Sequence, residues 1–310
     1  STALYRYFKH LGKNAIVILP DNYPSYLEFL DKEREIVIHS LERERAEALM
    51  GSADLIIGVD FNNLNRIGHL EQYFLKSSAI KILIDHHPQP DSAQFNLLFS
   101  KTELSSTCEL IYWLMKESDK LGENGKIPLD VAESLYVGMM TDTNNFNNSV
   151  SSDTFSMASD LIAQGVDKES LQNLVFGAFT ELRMRLMGFV LLKKMVLIKE
   201  YGAALITLSL KEQEQFNMDT GDTEGFVNLP LNIKGITISA FFVEKEDHIR
   251  VSLRSNNQFS VNMLSMLHFN GGGHQRAAGG KLYDTPFDEL EEYLYNALKT
   301  SYDVCNGNED

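Results

Sequence analysis

The triplet Asp85-His86-His87 follows directly on an apolar run, Ile80–Ile84, and Asp60 closes a second such run, Asp54–Val59. Near-continuous Ile, Leu and Val runs of this length read as parallel strands covered on both faces. In open α/β sheets ligands collect beyond the carboxyl ends of the strands, which is where these four residues fall. A third acidic position, Asp142 in Met140-Thr141-Asp142-Thr143, lies where a helical pattern ends, and Asn144 and Asn145 follow it. Carboxylates and imidazoles converging on one place suit Mn²⁺, Mg²⁺, Zn²⁺ or Fe²⁺, and the lack of clustered cysteine argues against a closed structural zinc site. An aspartate alone at a strand end is ordinarily a cap or turn residue. An Asp-His-His triplet after a buried strand has few structural reasons to exist, and it is the combination that carries the metal reading. The remaining histidines outside the glycine-rich segment, His10, His39, His69, His248 and His268, read as surface or packing residues.

A second group lies near the end of the chain. Gly271-Gly272-Gly273 exposes backbone N–H groups with no side chain in the way of a phosphate oxygen, and His274 follows directly. In Ile249–Arg254 a period of two sends Ile249, Val251 and Leu253 to one face and Arg250, Ser252 and Arg254 to the other. Two arginines on one face beside a glycine run suit phosphate, with Arg254 favoured because Ser255 and Asn256 follow it.

The elements that must hold these residues follow from apolar spacing. Leu4, Tyr7, Phe8 and Leu11 mark an opening helix that Gly12 ends. Ala15–Leu19 and Ile36–Ile38 read as strands, and Glu42–Met50, Glu103–Lys116 and Leu129–Met140 as helices. The first half is therefore an α/β domain, doubly wound around a mainly parallel sheet. Phe179–Ile198, apolar at Leu182, Leu186, Phe189, Val190 and Val196, reads as a connecting helix. Beyond it, strands at Ala203–Leu208, Gly235–Val243 and Ile249–Leu253, with helices at Val261–His268 and Phe287–Lys299, describe a smaller α+β domain. The expected boundaries are 1–178, a connector at 179–199, and 200–310, with Asn306–Asp310 read as a disordered tail.

Composition sets the outer limits. The chain has 310 residues, 44% of them hydrophobic, with 43 acidic against 28 basic side chains. That length suits two domains with cores of their own. A net charge of −15 argues against coating long duplex nucleic acid, since too little basic surface is present to displace many counterions, but it leaves room for a short anionic substrate. No apolar run is long enough to span a bilayer, no secretory signal is visible, and the cytoplasm is the expected compartment. Neither cysteine has a partner spacing, so both are expected to be plain thiols.

Taken together, Ile56-Ile57-Gly58-Val59-Asp60, Asp85-His86-His87, Gly138-Met139-Met140-Thr141-Asp142-Thr143 and Gly271–Gly280 resemble the DHH phosphoesterase superfamily with its DHH-associated C-terminal domain. Asp222-Thr223-Glu224-Gly225-Phe226-Val227-Asn228 makes the chain similar to the nanoRNase branch, whose members are also called exopolyphosphatase-related. The resemblance covers nearly the whole chain. It implies a hydrolase that cleaves very short oligonucleotides to mononucleotides and removes the 3′-phosphate of 3′-phosphoadenosine 5′-phosphate, by in-line attack of water at a two-Mn²⁺ centre, with Mg²⁺ or another divalent ion as the alternative. It further implies a cleft between the domains and Asp60 as the carboxylate shared by both ions. His86 and Asp142 become ligands of the second ion, Asp85 a carboxylate that orients the adjacent imidazole, and His87 a group facing the scissile phosphate. Arg254, Ser255, Gly271, Gly272, Gly273 and His274 become substrate-binding elements, joined by Arg66 of Asn65-Arg66-Ile67-Gly68. The family's first motif, His-x-x-x-Asp-x-Asp, belongs immediately before the opening helix and is absent from a sequence that begins at Ser1. Truncation is the expected reason, and the 310 residues alone are expected to be metal-deficient. Three other readings share parts of the pattern: a family II inorganic pyrophosphatase, a cyclic- or linear-dinucleotide phosphodiesterase, and a non-catalytic nucleotide-binding protein. A homodimer is compatible with all of them, and nothing in the sequence decides it.

Overall fold

Apolar spacing at the start of the chain folds, in the computed structural model, into helix α1 (Thr2–His10), which buries Ala3 and Tyr7. The structure describes residues 1–118, 125–177, 179–219 and 221–305. The chain divides into two compact units, Ser1–Ala178 and Phe179–Asp310.

In the first unit, β1 (Ile18–Leu19) pairs in parallel with β2 (Val37–Ile38), and α2 (Arg43–Ser52) follows. A second parallel sheet has the order β3 (Leu55–Val59), β4 (Ile80–Asp85), β5 (Leu97–Ser100), with α3 (Glu71–Lys76) between the first two strands. Helices α4 (Thr107–Lys116), α5 (Leu129–Asp142), α6 (Ser152–Ala163) and α7 (Lys168–Phe176) complete the unit. The core forms around α5, where Val131, Leu135, Tyr136, Met139 and Met140 are buried with Leu110, Ile111 and Met115 of α4. Arg6 ties α1 to α5, donating to the Asp130 carbonyl at 2.8 Å and Ser134 Oγ at 2.7 Å. These are the parallel strands and flanking helices expected of an α/β domain. Two boundaries shift by three residues or more: the strand expected from Ala15 is only Ile18–Leu19, and α4 begins at Thr107 because the Ser106 side chain caps the Glu109 N–H at 3.0 Å.

In the second unit, α8 (Glu181–Phe189) passes through a π-turn at Val190–Lys194 into β6 (Met195–Ile198). The helix expected over Phe179–Ile198 is thus too long. Met195–Ile198 is a solid apolar run that pairs antiparallel with β7 (Ala203–Leu208), and that pairing outweighs the helical spacing before it. The remaining elements are α9 (Leu210–Gln215), β8 (Ile238–Glu244), β9 (Ile249–Ser255), α10 (Val261–His268), β10 (Gly272–His274), β11 (Ala277–Leu282) and α11 (Leu290–Cys305). The sheet order is β10-β11-β9-β8-β7-β6. One face packs Phe242, Val251 and Leu253 against Leu264, Leu290 and Leu294, and another cluster joins Phe241 and Val243 to Leu186, Val190 and Phe226. The tail Asn306–Asp310 lies outside the described residues.

Candidate metal centre

At the carboxyl end of β3 the chain turns sharply. Asp60 takes a left-handed φ of 67°, which costs an ordinary side chain strain but which aspartate tolerates better than most. Its N–H still donates to the Ile84 carbonyl at 3.1 Å, so the residue stays pinned to β4 while its carboxylate stands at the sheet's end. Asp142 is the last residue of α5, where a negative charge opposes the helix dipole. Helix stability does not explain a carboxylate there, but a bound cation does. Behind it Asn144, Asn145 and Phe146 all adopt left-handed φ, and buried Thr143 closes the turn by accepting the Phe146 N–H at 3.0 Å.

The two acids and the histidines meet. His86 Nε2 lies 3.1 Å from Asp142 Oδ2 and 3.7 Å from Asp60 Oδ1, and its Nδ1 lies 3.2 Å from the Leu104 carbonyl. His87 Nδ1 sits 2.8 Å from Asp85 Oδ1. The imidazole oriented by Asp85 is therefore that of His87, whereas the adjacent one, His86, is oriented by the Leu104 carbonyl. Alternation along an extended chain explains this, since residues 85 and 87 share a side and 86 turns to the other. Asp85 is fully buried and its Oδ2 has no hydrogen-bond partner among the described residues.

Charge crowding shows in the titration behaviour. Burial lowers the His86 imidazole, but the Asp142 carboxylate, the Leu104 carbonyl and Asp60 outweigh it and raise it to about 9. Asp60 is held above the usual carboxylate range, by desolvation and then by Asp142. Because its side chain is still 54% exposed, the like-charged neighbour is the stronger part of that cause. Ligand atoms of Asp60, Asp85 and His87 all lie within 4.8 Å of one another. Two carboxylates in mutual repulsion, a buried unpartnered carboxylate oxygen and imidazoles held by second partners are a donor set that fits a divalent ion of the Mn²⁺ or Mg²⁺ kind.

One segment braces both ligands and was not singled out from sequence. Thr107 Oγ1 donates to Asp60 Oδ1 at 2.7 Å, and Leu104, three residues earlier, supplies the carbonyl for His86. Fully buried Glu109 holds that segment by accepting from the Ser105 N–H at 3.0 Å, the Ser105 hydroxyl and the Thr154 hydroxyl at 3.0 Å. Ser106-x-x-Glu109 has the form of a capping box, a signal for a helix start rather than for a metal brace. Thr107→Val is expected to weaken divalent-ion affinity about 10- to 100-fold, the usual cost of losing a group that orients a ligand, with Thr107→Ser restoring it. Calorimetric Mn²⁺ titration of the three proteins checks this, and equal affinities would remove Thr107 from the site.

In the second unit β9 alternates as expected, with Arg254 half-buried on the polar face and its Nη1 donating to the Leu253 carbonyl at 2.9 Å. The same alternation corrects Ser255. It turns to the opposite, buried face and donates to the Phe259 carbonyl at 2.8 Å, away from any ligand on the arginine face. The glycine run does not stand open along its length: Gly272–His274 is strand β10, paired with β11. A Cβ on Gly271 would strike the Gly279 carbonyl and stand 2.6 Å from Ser265 Oγ, and Gly273, at φ 149°, would press one to 2.5 Å from the Ala277 carbonyl. Packing therefore demands those two glycines. Gly272 has room, its nearest contact being Asn262 Oδ1 at 3.5 Å. His274 pairs across the hairpin with Ala277. Arg66 is exposed on a 3-10 turn in the first unit and forms no ion pair among the described residues.

The fold and these residues are matched by known families. The DHH family's N-terminal domain matches residues 1–139 and the DHHA1 domain matches residues 202–306, a combination that defines a metal-dependent hydrolase of phosphoric ester bonds. The bifunctional oligoribonuclease and PAP phosphatase NrnA of Bacillus subtilis is 32% identical over 259 residues, 83% of this chain and 78% of the relative. The protein of the same name from Thermus thermophilus is 28% identical over 302 residues, covering 96% and 84%. The crystal structure of an exopolyphosphatase-related protein from Bacteroides fragilis superposes with a TM-score of 0.88 at 36% identity, over 98% of this chain and 88% of that one. The chain belongs to the DHH family, on its NrnA-like branch.

Proposed function

We propose that this protein is a Mn²⁺-dependent phosphoesterase that hydrolyses short oligonucleotides to mononucleotides and removes the 3′-phosphate of 3′-phosphoadenosine 5′-phosphate. The observation that carries the reading is the meeting of Asp60 and His86, beyond the ends of β3 and β4, with Asp142 at the end of α5, in a chain related to NrnA. When bound, divalent ions there would polarise the phosphoryl oxygens and favour in-line attack by water. Asp60, His86 and Asp142 would hold the ions, and Thr107 and the Leu104 carbonyl position two of those side chains. Asp85 engages Nδ1 of His87 and fixes the ring, and in this reading the imidazole faces the scissile phosphate. No residue is required to form a covalent intermediate.

Arg254 and Gly272 grip the remainder of the substrate in this reading. Arg254→Ala is expected to raise KM about 10- to 100-fold, the worth of a charged hydrogen bond, with a smaller loss in kcat. An unchanged KM would reject that role. The decisive experiment on the function is release of mononucleotide from di- and triribonucleotides, and of phosphate from 3′-phosphoadenosine 5′-phosphate, with Mn²⁺, with Mg²⁺ and with chelator, run on this chain and on a version extended N-terminally to carry the His-x-x-x-Asp-x-Asp motif. Metal-dependent turnover by either version supports the proposal. Nucleotide binding without turnover by both versions under all three conditions leaves a binding protein instead. Among the described residues no helix is long and apolar enough to cross a membrane.

A further inference from the structure

The sheet face that carries Arg254 is polar over β9 and β11 and apolar over β8. Register places Arg254 opposite Ser239 and Ala277, Ser252 opposite Phe241 and Gly279, and Arg250 opposite Val243 and Lys281. Phe241 and Val243 are buried with Leu186, Val190 and Phe226. On β9 and β11, by contrast, Arg250 and Lys281 are exposed, while Ser252 and Gly279 between the two ends are half-buried. The strip thus has Arg254 at one end, the row of Arg250 and Lys281 at the other, and small residues in the middle. Four residues of strand separate Arg250 from Arg254, about 13 Å.

The Arg250 end is supported from behind. Arg250 Nη2 donates to Thr223 Oγ1 at 3.2 Å, and Thr223 is buried. Its loop is held in turn by the buried Arg183 guanidinium, which donates to the carbonyls of Gly221, Asp222 and Glu224. The segment Asp222–Asn228, which has no part in the metal chemistry, therefore serves to set Arg250. Lys281, paired with Arg250 across the strands, and Lys245, whose Nζ donates to Gln213 Oε1 at 3.5 Å, complete the cluster, and none of the three cations forms an ion pair among the described residues. Glu224 and Asp247 are the acids that bear on Arg250 and Lys281, and Asp247 is engaged with His248 at 2.7 Å. Burial first and the Arg250 guanidinium second hold the Lys245 ammonium below its usual range. An anion at this place would meet cations that form no direct ion pair among the described residues.

We propose that Arg250, Lys281 and Lys245 form a second phosphate subsite, which takes a backbone phosphate further along a single-stranded oligonucleotide than the one at Arg254. The inference rests on the proposed reading of Arg254 as a substrate-binding residue. A nucleoside bisphosphate is too short to engage both rows, so the second row makes oligonucleotide length count in binding while leaving the bisphosphate unaffected.

Calorimetric titration in EDTA reads this without hydrolysis, using adenosine 3′,5′-bisphosphate and RNAs of two, three and five residues. Wild-type affinity is expected to rise at least about tenfold from dimer to pentamer at low salt, as added phosphate contacts release counterions. The double variant Arg250→Gln/Lys281→Gln is expected to lose that rise and keep the bisphosphate Kd. Its salt slope for the pentamer should fall by about 1.4, two contacts at about 0.7 each. Lys281→Gln alone changes only an exposed side chain, and its expected drop of about 0.7 stands even if Arg250→Gln perturbs the fold. Length-independent wild-type binding, or variants that bind the pentamer like the wild type, overturns the subsite. Hydrolysis assays run in parallel keep the two proposals apart. Length-dependent binding without turnover retains the subsite and rejects the phosphoesterase, and turnover without length dependence does the reverse.

Discussion

Asp142→Asn is expected to lower metal-supported hydrolysis at least about a thousandfold, roughly 4 kcal/mol of transition-state stabilisation, while the protein stays folded. The side chain is 41% exposed and touches His86, so the substitution removes a ligand charge without opening the core. It also relieves the helix C-terminus of a negative charge, a gain of about 0.3–1 kcal/mol that offsets part of the lost ion pair with His86. Thermal melting of the metal-free protein should therefore fall near neutral pH and change little above about pH 9, where the pairing no longer contributes, whereas Mn²⁺ titration should show weakened uptake. A second readout follows from His86 in the metal-free state, whose value of about 9 depends on Asp142 beyond the opposing effect of burial. Because that value lies above the ordinary one, the His86 pairing stabilises the fold fully below about pH 6.5 and ceases to do so as pH rises through about 9. In Asp142→Asn the imidazole should titrate markedly lower by NMR. A variant that retains full turnover would remove Asp142 from the metal site, and an unmoved His86 titration would remove it as that residue's partner.

How far such a site can be read from sequence depends on how few other reasons its residues have for being where they are. Asp60, His86, His87 and Asp142 were legible because polar, metal-competent side chains interrupt runs that otherwise only bury surface. Thr107 and Leu104 were not, since a threonine at a helix start and a leucine carbonyl have the same form wherever they occur, and only the folded chain brings them to Asp60 and His86. The strand Leu97–Ser100 went unread for a related reason: Leu97 and Leu98 are both exposed at a sheet edge, so neither alternation nor a buried run marks it. Ser255 fell on the wrong face because adjacency to Arg254 in sequence is opposition in a strand. In the stretch Phe179–Ile198 helical spacing is real as far as the π-turn, and what ends the helix is a pairing with β7 that no local pattern contains. The glycine run was the hardest case, because absence of a side chain serves close packing and phosphate approach equally well.

Those two uses of glycine separate by substitution. Gly271→Ala is expected to destabilise the second unit by about 2–3 kcal/mol, since its new methyl meets the Gly279 carbonyl of β11 and the Ser265 hydroxyl of α10, which are hydrogen-bonded to each other and cannot withdraw without breaking that bond. For a unit of this size that is a fall in melting temperature on the order of 10 °C. Gly272→Ala adds the same methyl one residue on, where its nearest neighbour is at ordinary contact distance, and should cost less than about 0.5 kcal/mol. Calorimetric melting of both variants tests the packing argument, and equal melting temperatures would refute it. With stability thus controlled, the Gly272 variant reports on the other use. If a phosphate oxygen must approach the backbone at Gly272, the methyl stands in its way and KM for a dinucleotide rises in a protein that melts like the wild type. If KM does not move, the glycines of this hairpin are architecture alone, and recognition of the dinucleotide in the second unit falls to Arg254.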